Sequence, residues 1–337
     1  TFVRITGLHS AAKNGRIGFY GFYGFYRLVI YDIYLRSSRV FRINQKRFGV
    51  VVRLVLVLLV GVLCSTMALA EIPRILLVGD SWTGFLLAFR SFKQVLPEYP
   101  GLDRWIEVGN RTAVMGSRGF ELHDSLYLNT LTDELTRFPN IDVVVMTLGG
   151  NDFMRGLPNV LPWNPGRTVS WYHWWRENTA GNPATDWDAD LLFNRMKSDI
   201  AYIVDYMLAI RPDIRVVIVG YDYGARPPKP GDTYSVEEQH LALLEMELRK
   251  REIAEERDRV EYVLNFGMMQ YTYGIPEASP PIAPGMVPYP GEAPAWDPWP
   301  GGLPQYLSPL SAYIDQDIHL TADGYAVVAR RAIDLYI

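Results

Sequence analysis

The stretch Ile75-Leu76-Leu77-Val78-Gly79-Asp80-Ser81-Trp82 decides the fold. An apolar run stops abruptly at Gly-Asp-Ser, and a helical pattern follows. Such a run reads as a strand buried on both faces, over residues 73–78. It delivers Ser81 to the C-terminal edge of a sheet, where open α/β sheets place their ligands. A serine at a strand-to-helix turn also lies beside helix N-terminal N–H groups that have no intrahelical acceptor and can hold an oxyanion. The same serine could equally serve as an N-cap, so its reading depends on the rest of the chain.

Downstream, the pattern alternates. Residues 84–95 read as a helix ended by Pro97, residues 105–108 as a second strand, and residues 120–135 as a helix. Residues 141–148 are the clearest strand and end in Gly149-Gly150-Asn151-Asp152. A long amphipathic helix over 190–210, a strand over 215–220, a helix over 236–258, a strand over 260–266 and a helix over 321–336 complete the order. Strands alternating with helices imply a three-layer α/β/α sandwich around a five-stranded parallel sheet. Two long segments interrupt the alternation, residues 153–188 with five tryptophans and residues 274–309 rich in proline and glycine. Both follow strand ends, so both are expected to crowd the rim that carries Ser81. Loops of this length in a compact domain are usually functional or disordered.

The 337 residues carry a net charge of −4, unevenly spread. Residues 1–70 hold ten Lys/Arg and only Asp32 as an acid, which leaves the remainder at −13. An acidic body argues against nucleic acid as a partner. Lys46, Arg47 and Arg53, the apolar run 54–63 and Ala68-Leu69-Ala70 read as a signal segment over residues 46–70. Export to a secreted or periplasmic location is the expectation. An uncleaved segment would instead anchor the chain in a membrane. Cys64 is the only cysteine, so a processed chain would have no disulfide. Residues 1–45, with their repeated Gly-Phe-Tyr, read as a non-native or unstructured extension, and residues 71–337 as one domain.

Four blocks then fall in order at one sheet edge: Gly79-Asp80-Ser81, Gly116 after strand two, Gly149-Gly150-Asn151-Asp152, and Asp315-Gln316-Asp317-Ile318-His319 before the last helix. This order resembles the SGNH hydrolase superfamily, the GDSL-type esterases, over residues 72–337. The resemblance implies a flavodoxin-like fold and a serine esterase that needs no metal or organic cofactor. It implies Ser81 as nucleophile, His319 as base, and an oxyanion hole from the Ser81 and Gly116 N–H groups and the Asn151 side chain. Acyl transfer needs these three parts. Gly119 is the alternative to Gly116. The family's acid stands three residues before the histidine, where this chain has Gln316. Asp317, or else Asp315, is therefore the candidate orienting acid, and a Ser-His dyad helped by a backbone carbonyl is a further option. Asp80 and Asp152 read as structural, and His123 and His240 as helix residues.

Trp82, Trp171, His173 and Trp174 are the candidate substrate contacts, with lid packing as the competing role for the tryptophans. Aromatic rims stack on sugar faces and also hold acyl chains. A small-molecule or polysaccharide ester is therefore the expected partner, with deacetylation of a polysaccharide the concrete form. A lipid or short-acyl esterase, an O-acyltransferase, and a non-catalytic carbohydrate-binding protein on the same fold are the alternatives.

Overall fold

The computed structural model describes residues 71–161, 164, 166–172, 189–229, 234–291, 300–314 and 318–337. The first strand, β1 (Ile72–Gly79), pairs in parallel with β2 (Trp105–Val108) on one side and β3 (Val143–Thr147), the central strand, on the other. β4 (Arg215–Val219) adds to β3, and β5 (Val260–Val263) to β4, both in parallel. The sheet order is β2-β1-β3-β4-β5. Parallel neighbours need crossover connections, and helices provide them. The expected three-layer α/β/α sandwich with a five-stranded parallel sheet is what the chain forms, in the flavodoxin-like strand order.

Alternate strand residues feed two cores. Ile75, Leu77, Val143, Val145, Val217 and Val219 face α1 (Ser81–Ala88), α2 (Ser91–Val95) and α8 (Ala322–Tyr336). Leu76, Val78, Val144, Met146, Val216 and Ile218 face α3 (Ser125–Arg137) and α5 (Ala189–Ile210). Each fully buried Val, Leu or Ile contributes about 1.5–3 kcal/mol relative to exposure. α6 (Val236–Glu255) packs on α5 and β5. α4 (Gly150–Arg155) and α7 (Met268–Tyr273) are short helices beyond the ends of β3 and β5.

Three boundaries differ from the sequence reading. The helix expected over 84–95 is two helices, because Arg90 turns left-handed at φ 52° between them. The helix expected over 120–135 starts as a 3₁₀ turn, Gly119–His123, and restarts at α3, where the Asp124 carboxylate accepts the Leu126 N–H. The last strand stops at Val263, and Asn265 then uses its side-chain amide to bind the Gly220 carbonyl at 2.7 Å. Among the described residues no helix is long and apolar enough to cross a membrane. The signal segment and residues 1–45 lie outside the described residues.

The topology places the site. From β1 the chain runs outward to β2, then crosses over to β3 on the other side. The crevice between the C-terminal ends of β1 and β3 is the switch point where such sheets bind ligands. Ser81 leaves β1 there, and Asn151 leaves β3 there.

Candidate active site

The turn that carries Ser81 is fixed by its neighbours. Gly79 has φ 130°, and a Cβ there would lie 1.8 Å from the Thr147 carbonyl oxygen, so only glycine lets β1 close on β3 at this point. The Asp80 N–H then donates to that carbonyl at 3.0 Å. Asp80 is the N-cap of α1, its carboxylate accepting the Trp82 N–H at 3.1 Å and the Thr147 hydroxyl at 3.0 Å. The Thr83 N–H donates to Thr147 Oγ1 at 3.0 Å. The first-turn donors of Trp82 and Thr83 are thus spoken for. The Ser81 N–H has no partner among the described residues and remains available to an oxyanion.

His319 comes from the other end of the chain, just before α8. Its Nε2 lies 2.9 Å from Ser81 Oγ. Among the described residues, these contacts help hold it there. The Ile314 N–H donates to the His319 carbonyl at 2.9 Å. The Trp82 indole N–H donates to the Ile318 carbonyl at 2.8 Å. Phe85 of α1 sits against the imidazole with ring centroids 4.7 Å apart. A hydroxyl in this position can pass its proton to the imidazole while attacking a carbonyl. The two aspartates considered as orienting acid, Asp315 and Asp317, lie outside the described residues.

Gly116 stands in the turn Val114–Ser117 after β2, at φ 76°, closed by the Ser117 N–H on the Val114 carbonyl at 3.1 Å. The Val114 N–H is bound to the Gly79 carbonyl at 2.7 Å, which stitches the turn to the end of β1. α4 holds the turn from the other side: Arg155 Nη1 donates to the Gly116 carbonyl at 2.8 Å, and Arg118 Nη1 to the Gly156 carbonyl at 3.1 Å. The Gly116 N–H has no partner among the described residues. Gly119 is different, since its N–H donates to both oxygens of Asp152 at 2.9 and 3.0 Å and is not free for an oxyanion. The Asn151 side chain lines the cavity beside Ser81 and makes no hydrogen bond among the described residues. The three donors that the resemblance names are therefore all unengaged.

Asp152 shows how the supporting carboxylates behave. Burial, with Asp199 and Asp80 nearby, pushes its pKa from 3.8 up to about 7. An acid with a higher pKa folded than unfolded takes up protons on folding between those values. Its stabilising contribution is full below about pH 4 and is lost as pH rises through about 7. We expect the urea stability of the wild type to fall between about pH 4.5 and pH 8 by more than that of Asp152→Asn. Equal slopes would show that Asp152 does not titrate this way.

Several site residues escape a sequence reading. Tyr221, beyond β4, donates its hydroxyl to Asp80 Oδ2 and accepts the Gly150 N–H at 3.0 Å, joining the turns that carry Ser81 and Asn151. Lys250 of α6 lies 4.0 Å above the Tyr221 ring and pairs with Glu247 at 2.8 Å, both side chains fully buried. Burial pushes the Asp80 carboxyl up and the Lys250 ammonium down. Asp222 accepts the N–H groups of Tyr223, Gly267 and Met269 and pins the start of α7; burial raises its pKa to about 7. The only available signals were a tyrosine and an aspartate just past an apolar strand, in Tyr221-Asp222-Tyr223.

Two expected substrate contacts, Trp82 and Trp171, are largely buried but border the open space at the site. Trp82 is 2% exposed, its indole N–H is engaged with Ile318, and its ring meets Tyr221 and Tyr325 edge-on. One edge of it still borders the cavity, but its main contacts brace the histidine segment. Trp171 is 3% exposed, stacked on Phe153 at 5.4 Å and edge-on to Tyr234 at 4.7 Å. It packs on apolar partners and also lines the open cleft beside the cavity. His173 and Trp174 lie outside the described residues.

The cavity at Ser81 measures about 50 Å³; Trp82, Phe153, Met154, Leu243 and Ile318 supply its apolar lining, and Asp80, Tyr221, Asp222, Gln239 and His240 also border it. An open cleft of about 280 Å³ adjoins it, sharing Met154 and Gln239 and lined by Trp171, Tyr172, Tyr234, Arg226 and Lys229. Among the described residues no group of three or more His, Cys, Asp or Glu is placed to hold a metal ion.

No family model matches the sequence, and no curated protein matches it. Solved structures do. A GDSL-like lipase candidate from Parabacteroides merdae is 13% identical over 79% of this chain and 96% of its own, with a TM-score of 0.42. A family 3 carbohydrate esterase from Clostridium thermocellum is 15% identical over 79% of this chain and 97% of its own, with a TM-score of 0.38. A carbohydrate acetylesterase family member from Sinorhizobium meliloti is 16% identical over 78% and 97%, with a TM-score of 0.38. At these identities and TM-scores the likeness assigns this chain no activity. What stands by itself is a flavodoxin-like α/β/α domain with a serine and a histidine in hydrogen-bond contact at its switch point.

Proposed function

We propose that the chain is a serine esterase that removes a short acyl group, with Ser81 as nucleophile and His319 as general base. The observation that carries this is the 2.9 Å contact between His319 Nε2 and Ser81 Oγ, two residues 238 positions apart. Ser81 Oγ attacks the ester carbonyl and gives its proton to His319. The oxyanion receives hydrogen bonds from the Ser81 and Gly116 N–H groups and the Asn151 amide. His319 returns the proton to the departing alcohol, and water then releases the acid by the same steps.

Acyl size follows from the cavity. The leaving alcohol must reach His319, which does not line the cavity, whereas Ser81 and Asn151 do. The acyl group therefore takes the cavity. The cavity is small, about 50 Å³, which suits a short acyl group. That favours an acetyl-sized group over a lipid chain. The adjoining cleft, with two tyrosines and two cations, offers a surface for an extended polar alcohol. A carbohydrate ester, deacetylated outside the cytoplasm if the segment 46–70 directs export, is the reading we favour.

Hydrolysis of p-nitrophenyl acetate and octanoate tests the size argument. We expect kcat/KM to be about 10–10²-fold higher for acetate, since forcing extra methylenes into packed walls costs about 1–3 kcal/mol. A preference for octanoate would replace this reading with that of a lipid esterase.

A further inference from the structure

The Asn151 amide is useful to an oxyanion only if it is aimed, and it stands on a helix of six residues. α4 leaves β3 through Gly149, left-handed at φ 108°, and has no side-chain cap at that residue. The N–H groups of a first helical turn have no intrahelical acceptor. Here the Gly150 N–H, one residue before Asn151, donates to the Tyr221 hydroxyl at 3.0 Å, 71 positions away. Further along, α4 is tied to the segment around Gly116, because Asp152 accepts the Gly119 N–H and Arg155 donates to the Gly116 carbonyl. The start of α4 reaches the Ser81 turn through Tyr221, whose hydroxyl donates to Asp80 Oδ2.

That hydroxyl is held in place by its own ring and backbone. The Tyr221 ring meets Trp82 edge-on at 4.9 Å and has the Lys250 ammonium 4.0 Å from its centre, and the Tyr221 N–H is bound to Glu247 at 3.3 Å. Gly150 leaves room for the phenol: a Cβ there would lie 2.9 Å from Tyr221 Cζ and Oη. The two hydrogen bonds of the hydroxyl are not equivalent. Without it, Asp80 would still accept the Trp82 N–H and the Thr147 hydroxyl. The Gly150 N–H has no second acceptor among the described residues. Loss of the hydroxyl is therefore felt at the turn that carries Asn151 more than at the turn that carries Ser81. We propose that Tyr221 is a positioning residue for the oxyanion hole: its hydroxyl, braced on Asp80, fixes the start of α4 so that the Asn151 amide meets the oxyanion formed at Ser81. The inference rests on the esterase reading above and on Asn151 as an oxyanion donor. Such a donor acts only within about 2.7–3.1 Å of the developing charge, so a small shift of α4 is a kinetic loss.

Tyr221→Phe keeps the ring and removes only the hydroxyl. We expect kcat for p-nitrophenyl acetate to fall about tenfold with KM within about twofold of the wild type, since a misplaced oxyanion donor is missed in the transition state and not in the ground state. The deciding readout is a double-variant cycle. In Asn151→Ala, which has no amide left to aim, Tyr221→Phe should lower kcat by less than about twofold further. A merely structural role would cost the same factor in both backgrounds. Gly150→Ala reaches the contact from its other partner: Gly150 is not left-handed, and the atoms its Cβ would crowd belong to Tyr221. It should show the same loss and the same dependence on Asn151, and it decides the matter if Tyr221→Phe does not fold. All rates are taken above the residual rate of Ser81→Ala. A kcat within about twofold of the wild type in both variants overturns the proposal, as does a loss that persists undiminished in Asn151→Ala. Either outcome leaves Ser81-dependent hydrolysis, and the esterase reading, intact. Wild-type hydrolysis no faster than that of Ser81→Ala would instead overturn that reading and this inference with it.

Discussion

Ser81→Ala is expected to lower kcat for acetyl ester hydrolysis by about 10⁴-fold or more, with little change in KM. Losses of that order follow when a nucleophile acting with its base is removed. His319→Ala should cost about as much, and the double variant should be no worse than either single one, because the two side chains work as a unit. Their contact across 238 positions is the physical reason. Asn151→Ala should fall between these variants and the wild type, down about 10²–10³-fold, the usual result of losing one oxyanion donor. Stopped assays on purified variants, with folding checked by circular dichroism, give all four numbers. More than a tenth of the activity remaining in Ser81→Ala would mean that another group is the nucleophile.

The second large effect concerns stability. Lys250→Met should lower the unfolding free energy by about 3–5 kcal/mol, because it leaves the Glu247 carboxylate buried without its cation. Glu247 also accepts the Tyr262 hydroxyl at 2.7 Å and the Tyr221 N–H at 3.3 Å, so it cannot move to water without breaking both. Glu247→Gln keeps an acceptor for Tyr262 and removes the charge. The double variant Glu247→Gln/Lys250→Met should therefore be more stable than Lys250→Met alone. Urea unfolding of the three proteins is the check. A Lys250→Met variant within about 1 kcal/mol of the wild type would show that the pair carries little. The loss should reach the site as well, since Lys250 lies over Tyr221, and Tyr221 ties Asp80 to Gly150.

What could be read from the chain, and what could not, divides by the range of the interaction. Gly79, Ser81 and Asn151 sit where an apolar strand ends, so local pattern and the geometry of parallel sheets locate them together. The sheet and its alternation follow from the same runs, including the unbroken Val143-Val144-Val145 with both faces buried. The break at Arg90 has no such signal, since a left-handed arginine is imposed by the packing of α2 beneath α8 and not by the residue. Tyr221 and Lys250 belong to elements whose own patterns look ordinary; Tyr221 matters through Asp80, far back in the chain, and Lys250 through its place over the Tyr221 ring. The chemistry of Trp82 and Trp171 makes them candidate contacts. The structure adds what composition could not give: each ring packs on an aromatic partner, Tyr325 or Phe153, and also borders the space at the site.

The most direct measurement is covalent trapping. A fluorophosphonate reacts with a serine only when a base activates it and an oxyanion hole receives the phosphoryl oxygen. Incubation of the folded protein, followed by digestion and mass spectrometry, should give one adduct, on the peptide carrying Ser81. The adduct should be absent in Ser81→Ala and formed far more slowly in His319→Ala. No adduct on the folded wild type, or one that persists in Ser81→Ala, would contradict Ser81 as the nucleophile.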